Sequence, residues 1–371
     1  MAAPTDVYCD PSIGGSSGSG TIGDPYSGVQ YALNTMARDA TNGNRVNVIG
    51  GGTEVLSSEL ALSGYGLPTI TAPLIIQGCT ATAGDGGKGA ISGGGVTSIR
   101  STVTHYLSFI DLHLHNTGAN NIVNAGGRAT ISRCEFSNTT GNAIDSVSAL
   151  PDLLITDSHF HDIGGHGVNA DDALVWGCHF ENGVKEFISG VRGTGSANVK
   201  HCTFTLSGAS HGIQIAGGGT NASNNSILSD GGTGHGIDLA ANGMYGSSVL
   251  NNLIEGFSGT GGAGVAFGNN TRELNACGHN AVFNCVTAYE NRGDCVLVLG
   301  DDETLSESPF AKSGSNTFAN RGVYFAPNDT SNVRSGAFPL ALRLDKGAIQ
   351  SSGGGTTVVQ RHVFGAGGMT A

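Results

Sequence analysis

The sequence predicts an all-β solenoid, a single-stranded parallel β-helix, because two short patterns recur in step along residues 105–284. Each repeat contains short runs of alternating apolar and polar residues, separated by Gly, Asn, Asp and Ser. Such alternation is typical of β-strands, and self-similarity at a period of about 20 to 50 residues is typical of a solenoid. Two strands that lengthen and shorten together indicate one coil per repeat.

The first pattern is a middle residue, small or amide in every repeat but the first, flanked by apolar residues, one three positions before it and one two positions after it. Its middle residues are Leu112, Cys134, Ser158, Cys178, Cys202, Asn225, Asn252 and Asn280, separated by 22, 24, 20, 24, 23, 27 and 28 residues. Coils stacked about 4.8 Å apart place equivalent residues in ladders. We therefore expect an internal stack of Phe136, Phe160, Phe180 and Phe204, and an amide ladder of the three asparagines that satisfies backbone groups.

The second pattern is an Ile or Val that usually follows a small residue. It occurs at Asn121-Ile122, Ala143-Ile144, Gly167-Val168, Phe187-Ile188, Gly212-Ile213, Gly236-Ile237 and Gly264-Val265, with spacings of 22, 24, 20, 25, 24 and 28 residues. We expect the glycines of this pattern to relieve crowding at a corner of each coil.

Composition agrees with one long, thin domain. The 371 residues include 62 Gly, only 12% are charged, and 38% are hydrophobic. The formal charge of −12 comes without a run of Lys or Arg, which disfavours nucleic-acid binding. No window of 18 apolar residues exists, and the segment from Met1 to Thr5 lacks the features of a secretion signal, so we expect neither a membrane span nor this export route.

The eight cysteines are predicted to be free thiols. Cys134, Cys178 and Cys202 occupy one inward ladder position, where a thiol acts as a small apolar group, and no Cys-x-x-Cys pair suggests a zinc site.

Four segments are expected along the chain. Residues 1–44 form an irregular Gly/Ser-rich lead and a capping helix, in which Asp24 is the N-cap, Pro25 the first helical residue and Asn42-Gly43 the stop. Residues 45–300 form the coils, about a dozen in number and roughly 50 to 60 Å long. Residues 301–350 form a closing segment, and residues 351–371 a Gly-rich arm that docks elsewhere. Capping matters because an open terminal coil invites polymerisation.

Several segments resemble a known group of proteins. Residues 24–34 (DPYSGVQYALN), 44–49 (NRVNVI) and 73–78 (PLIIQG) resemble the N-terminal module of right-handed, pectate-lyase-like β-helix proteins. Residues 308–310 (SPF) and 344–350 (LDKGAIQ) resemble the closing segment of the same group. The resemblance spans residues 24–350 and implies a right-handed β-helix, because these motifs are architectural.

Two kinds of protein share this architecture, namely secreted polysaccharide lyases and hydrolases, and bacteriophage virion proteins such as tailspikes and head decorations. The sequence of the N-terminal module is similar to that of the second kind, and proteins of that kind also lack a secretion signal. The resemblance therefore implies a non-enzymatic structural protein on the outside of a phage head or tail, made in the host cytoplasm. A homotrimer that contacts capsid or tail proteins is expected, with host-surface polysaccharide as a further partner and no cofactor.

The main alternative is a polysaccharide lyase or glycosidase, including a depolymerising tailspike, and a carbohydrate-binding adhesin is a second alternative. The candidate groove residues are Asp145, Asp171, Asp172, Arg192 and Asp238. Asp172 lies four residues after Val168 and Arg192 four after Ile188, which predicts that they meet at one corner beside Asp171. A polar ladder of Asp145, Asn169, Gln214 and Asp238 is expected nearby, flanked by His166, His211 and His235. Solvent-facing positions are polar in any case. A surface ion pair between Asp172 and Arg192 would therefore account for these residues without a binding or catalytic site.

A metal site is a weaker hypothesis. Glu135, His159 and His179 occupy one outward position on successive coils and could bind a divalent ion. Metal ligands usually converge from several directions, whereas a ladder supplies one, so histidines stacked at a subunit interface are the favoured interpretation.

Overall fold

The computed structural model describes residues 3–15, 17–62, 69–97, 99–101, 106–124, 128–146, 153–182, 189–193, 195–215, 219, 221–239, 246–267, 275–290, 296–298, 303–312 and 325. Within them the chain is an all-β parallel solenoid with three long sheets and one short helix. From β2 (Asn44–Ile49) to β31 (Thr287–Glu290) each coil gives one strand to each sheet, and the strands follow one another in chain order, as the repeat predicts.

The described strands fall into sheets of 12, 11 and 10 members. The first sheet contains β1 (Thr5–Cys9), β2 (Asn44–Ile49), β5 (Leu74–Cys79), β8 (Leu107–Ile110), β11 (Ala129–Ser132), β14 (Leu153–Thr156), β17 (Ala173–Trp176), β20 (Ala197–Lys200), β23 (Asn221–Ser223), β26 (Ser248–Leu250), β29 (Asn275–Gly278) and β32 (Val296–Val298). The second sheet contains β3 (Thr53–Val55), β6 (Gly89–Ser92), β9 (Leu112–Thr117), β12 (Glu135–Thr139), β15 (His159–Ile163), β18 (His179–Glu181), β21 (Thr203–Leu206), β24 (Ser226–Ser229), β27 (Leu253–Glu255), β30 (Ala281–Phe283) and β33 (Glu303–Thr304). The third sheet contains β4 (Leu60–Ala61), β7 (Ile99–Ser101), β10 (Ile122–Asn124), β13 (Ile144–Ser146), β16 (His166–Ala170), β19 (Ser189–Gly193), β22 (His211–Ile215), β25 (His235–Leu239), β28 (Ala263–Phe267) and β31 (Thr287–Glu290).

The interior ladders confirm the first pattern. The rings of Phe136, Phe160, Phe180 and Phe204 are fully buried and stack with successive centroids 4.9, 4.6 and 4.8 Å apart and planes within 7°. All eight middle residues of the pattern are buried as well. Stacking of this kind stabilises the interior beyond the contribution of the buried apolar area. The distance between the rings equals the rise from one coil to the next.

The predicted amide ladder is present at Asn225, Asn252 and Asn280. The Oδ1 of Asn252 accepts hydrogen bonds from the backbone N–H and the Nδ2 of Asn225, both at 3.0 Å. The Nδ2 of Asn252 in turn donates to the Oδ1 of Asn280 and to the carbonyl of Ala222, both at 2.9 Å. Each amide therefore satisfies its neighbour and a turn backbone group where no water can.

The turn between the first and second sheets uses left-handed backbone geometry at one residue per coil. The residues at this position have φ between 49° and 65° and are Asp111, Arg133, Asp157, Gly177, His201, Asn224, Asn251 and His279. A left-handed residue costs little for Gly and Asn and more for Arg or His. At Arg133 the side chain offsets that cost, because its guanidinium donates two hydrogen bonds of 2.7 Å to Asp111 on the preceding coil.

The second pattern was wrong in one coil. Val191 of β19 pairs with Val168 of β16, and Gly190 takes the corner position that the sequence assigned to Phe187-Ile188, which lie outside the described residues. A Cβ on Gly190 would lie 2.7 Å from the ring of Phe204, and one on Gly167 would lie 2.8 Å from the ring of Phe180. Glycine is therefore required at Gly167 and Gly190, where the interior aromatic stack fills the space, whereas Asn121 and Ala143 occupy the same position on the two preceding coils.

The N-terminal cap differs from the prediction. The helix α1 runs from Val29 to Thr35, later than Asp24-Pro25 suggested, because Tyr26 forms a parallel bridge with Cys9 and stays extended. Its first backbone N–H groups are capped by Glu54 of β3, whose carboxylate accepts from Val29 at 2.5 Å and from Gln30 at 3.2 Å. The predicted irregular lead also contains β1, which extends the first sheet beyond β2.

The closing segment packs on the outer face of the second sheet. Phe310 and Phe325 are buried against Leu228, Leu253 and Ala281. Glu255 of β27 anchors the segment, because it accepts hydrogen bonds from Ser308 at 2.7 Å and from Lys312 at 2.5 Å. Residues 301–302, 313–324 and 326–350 of the closing segment and the predicted arm at 351–371 lie outside the described residues.

Seven cysteines, all but Cys295, fall within the described residues and are free thiols. The ladder thiols of Cys134, Cys178 and Cys202 lie against backbone carbonyls. Within the same residues, no helix is long and apolar enough to span a membrane.

Replacement of Asn252 with Ala should destabilise the solenoid by about 2 to 4 kcal/mol, because it leaves buried groups of Asn225 and Ala222 without partners. Urea unfolding monitored by circular dichroism measures the loss. Ser158→Cys is the matched control, since it places in the same ladder the residue found on both neighbouring coils. An equal loss in the two variants would contradict the role assigned to the amide ladder.

Gly190→Ala should cost about 1 to 3 kcal/mol of unfolding free energy, because the new methyl group overlaps the ring of Phe204. Gly23→Ala is the control, since a Cβ there meets no atom within 4 Å. The comparison of their urea midpoints tests the corrected register, and a neutral Gly190→Ala variant would count against it.

Candidate functional site

One outward row of the third sheet collects polar residues, which we name the polar ladder. Its members are Asp145 of β13, Asn169 of β16, Arg192 of β19, Gln214 of β22 and Asp238 of β25, each in register with the next. Each member follows the Ile or Val that points into the core. The ladder thus contains the four residues that the sequence predicted and also Arg192.

The position of Arg192 corrects the predicted corner site. Arg192 pairs with Asn169 on the strand, whereas Asp171 and Asp172 follow β16 in the turn that leads to β17. The Oδ1 of Asp172 accepts a hydrogen bond of 3.2 Å from the backbone of Ser196. The prediction failed because it placed β19 three residues too early. Of the five groove candidates, the ladder unites Asp145, Arg192 and Asp238 and leaves out the other two.

Amide side chains hold the two ladder carboxylates. Asp145 accepts hydrogen bonds from Asn120 at 3.0 Å and from Asn169 at 2.7 Å. Asp238 accepts one from Gln214 at 3.3 Å. The sequence did not single out Asn120, which precedes the strand and gave no periodic signal. The ladder is consequently a row in which carboxylate acceptors at both ends flank amide and guanidinium donors, a surface suited to the hydroxyl groups of an extended ligand.

A row of histidines begins the same strands. The Nδ1 of His166 lies 2.6 Å from the hydroxyl of Ser189 on the next coil. The Nδ1 atoms of His211 and His235 each accept a backbone N–H at 3.2 Å, which leaves the proton of each neutral ring on Nε2. Burial lowers the pKa of His166 to about 4, an effect that Arg192 reinforces and Asp145 opposes. His166 is therefore unprotonated at neutral pH.

The outer face of the second sheet holds a second group of titratable residues. His113, Glu135, His159 and His179 are in register on β9, β12, β15 and β18, and His115, Ser137, His161 and Glu181 follow two residues later on the same strands. Successive outward residues on one strand lie on the same face, so the two rows form one patch.

Glu135 does not join His159 and His179 in the way that the sequence suggested. Its carboxylate lies 2.6 Å from the Nζ of Lys88 and 3.4 Å from the Nε2 of His161. Hydrogen bonds from His161 and Lys88 outweigh burial and hold the pKa of Glu135 well below its usual range. The carboxylate that reaches His159 and His179 belongs to Glu181, which the sequence analysis missed because it followed only one residue per strand.

The comparisons with known proteins establish the fold. No protein-family model and no curated protein matches the chain. The crystal structure of pectate lyase Pel9A is similar, with a TM-score of 0.64, 12% identity, and coverage of 94% of this chain and 97% of that one. More distant similarities include an alginate lyase from Paenibacillus sp. (TM-score 0.36, 14% identity, 75% and 93% covered) and the A-module of the Azotobacter vinelandii mannuronan C-5 epimerase AlgE6 (0.35, 15%, 72% and 92%). The chain therefore has the parallel β-solenoid fold seen in pectate lyase.

Proposed function

We propose that this protein binds a uronate-containing polysaccharide along the polar ladder and cleaves it by β-elimination beside Arg192. The observation that carries the proposal is the central place of Arg192 in the ladder, with the unprotonated His166 in its electrostatic neighbourhood. Support also comes from the fold, which a pectate lyase shares.

The shape of the ladder favours a polymer over a small molecule. Its five rungs span four strand spacings, about 19 Å at 4.8 Å each. Amide, carboxylate and guanidinium groups repeat along this length, so a chain of sugars would meet a new set of hydrogen-bonding groups at every coil. A uronate carboxylate would pair with the guanidinium of Arg192, which suits planar, bidentate recognition.

The same spacing argues against glycoside hydrolysis by the ladder acids. Hydrolysis needs two carboxyl groups about 5 to 9.5 Å apart across one glycosidic bond. Asp145 and Asp238 are four strands apart, at roughly 19 Å on the strand spacing. Their oxygens also accept fixed hydrogen bonds from amide side chains. These carboxylates are better suited to holding sugar hydroxyls.

β-Elimination uses the groups at the centre of the ladder. Arg192 would neutralise the uronate carboxylate and make the neighbouring C5 proton more acidic. The neutral ring of His166 would accept that proton through Nε2 in the tautomer whose Nδ1–H donates to the hydroxyl of Ser189. The electron pair then forms the C4–C5 double bond, the C4–O bond breaks, and the leaving oxygen takes a proton from solvent.

The non-catalytic alternatives stay predictions. A virion surface role, a trimer and an adhesin each predict at most binding of polysaccharide, whereas the present proposal predicts cleavage. The first experiment therefore measures both.

Incubation with polygalacturonate or alginate should release products with unsaturated uronate ends, detected by their ultraviolet absorbance. Arg192→Ala should lower kcat/KM by about 100- to 1,000-fold, because it removes the charge that stabilises the transition state. Arg128→Ala is the control, since Arg128 lies before β11 of the first sheet and contacts Tyr106. Retardation of the wild-type protein in polysaccharide gels without product would favour an adhesin. Neither retardation nor product on any uronate polymer would refute the proposal.

The stability of the protein should fall as pH decreases from about 6.5 to about 4, in part because of His166. Its folded pKa of about 4 lies below the value of about 6.5 in an unfolded chain, so the unfolded state binds the proton first. His166→Gln should remove on the order of 1 to 2 kcal/mol of this dependence after allowance for solvent screening. Urea midpoints at pH 7 and pH 4.5 measure it, and unchanged pH dependence in the variant would show that His166 is not held unprotonated.

A further inference from the structure

Three potential metal ligands converge on the outer face of the second sheet. They are His159 of β15 and His179 and Glu181 of β18, and their ligand atoms all lie within 4.8 Å of one another. The Nε2 of His179 lies 2.9 Å from one carboxylate oxygen of Glu181, and the Nε2 of His159 lies 3.4 Å from the other. This trio is separate from the polar ladder, which belongs to the third sheet.

The distances agree with a tetrahedral ion. Ligand atoms bound to zinc at 2.0 to 2.1 Å in a tetrahedron are separated by about 3.3 Å. The separations of 2.9 and 3.4 Å already lie near that value but involve different oxygens of Glu181, and one ligand atom from each of the three residues lies within 4.8 Å of the other two. A small change in the side-chain torsions of His159 would close the triangle. A ladder alone offers ligands from one direction only. Here Glu181 offers a ligand from a second direction, because it lies two residues after His179 on the same strand.

The surroundings of the trio also suit a metal. The Nδ1 of His179 lies 2.6 Å from the hydroxyl of Thr203 on the next coil, a contact that orients the ring and directs Nε2 towards Glu181. His179 is fully buried and Phe325 of the closing segment packs edge-on against it, with ring centroids 6.2 Å apart. The side chain of Glu181 is 25% exposed, so water can complete the coordination from that side.

We infer that His159, His179 and Glu181 bind one divalent transition-metal ion of the zinc type, which ties β15 to β18 beneath the closing segment. Two imidazoles and one carboxylate select such an ion over Ca²⁺ or Mg²⁺, which prefer oxygen ligands alone. The nearby Glu135 pairs instead with Lys88 and His161, so a variant at Glu135 is a control for variants at Glu181.

The test uses the full chain, stripped with a chelator, kept reduced and titrated with Co²⁺. One equivalent should give the visible absorption of tetrahedral cobalt, without the near-ultraviolet band of thiolate ligands, and Zn²⁺ but not Ca²⁺ should abolish it. Zn²⁺ should also raise the thermal midpoint of the protein. An absent tetrahedral spectrum, or one with thiolate bands, overturns the assignment.

Variants locate the ion. Glu181→Gln keeps the size of the side chain and should abolish the cobalt spectrum and the zinc-dependent thermal shift, while Glu135→Gln should leave both unchanged. Thr203→Val should weaken zinc binding by about 10- to 100-fold through loss of the contact that orients His179. Circular dichroism confirms that each variant is folded. Binding that survives Glu181→Gln, or that is lost in Glu135→Gln, refutes the site.

Discussion

The structure depends on one constraint, the in-register stacking of parallel coils. Every side chain lies above its equivalent on the coil below, so each position must be occupied by residues that tolerate their own kind as neighbours. Inside, the constraint is met by flat phenylalanine rings that repeat at 4.6 to 4.9 Å and by asparagines that bond to one another. The glycine corners follow from it, because a methyl group at Gly167 or Gly190 would overlap the ring that the stack places opposite.

Outside, the same stacking turns isolated polar residues into continuous rows. Like charges on adjacent strands repel one another, and the polar ladder places no two like charges on adjacent strands. In the polar ladder, amides separate Asp145 and Asp238 from Arg192. On the second sheet, Glu135 lies between His113 and His159. A chemically useful surface is thus produced by the register of the strands.

The sequence predicted the parts of the molecule whose residues leave a distinctive mark at every coil. A Phe, Ile or Val two residues after a small or amide residue is such a mark, so the fold and its interior ladders could be predicted. The third sheet was harder, because Phe187-Ile188 and Gly190-Val191 satisfy the same loose pattern and turn length is not encoded locally. Because of that three-residue error, the prediction placed Arg192 at the corner with Asp172 and not in the ladder beside Asn169. The start of α1 depends on Glu54, a partner 25 residues away along the chain, which no local capping rule can identify.

The closing segment explains why the two proposed sites can operate separately. The outer face of the second sheet changes along its length from histidine and glutamate to Leu228, Leu253 and Ala281, and the closing segment covers the apolar end. Phe325 reaches from that end to His179, so an ion held by His179 would stabilise the junction between the coils and their cover. The polar ladder lies on the third sheet, whereas Phe310 and Phe325 pack against Leu228, Leu253 and Ala281 of the second sheet. Loss of the metal should therefore weaken the cover without altering the groups that would contact a polysaccharide.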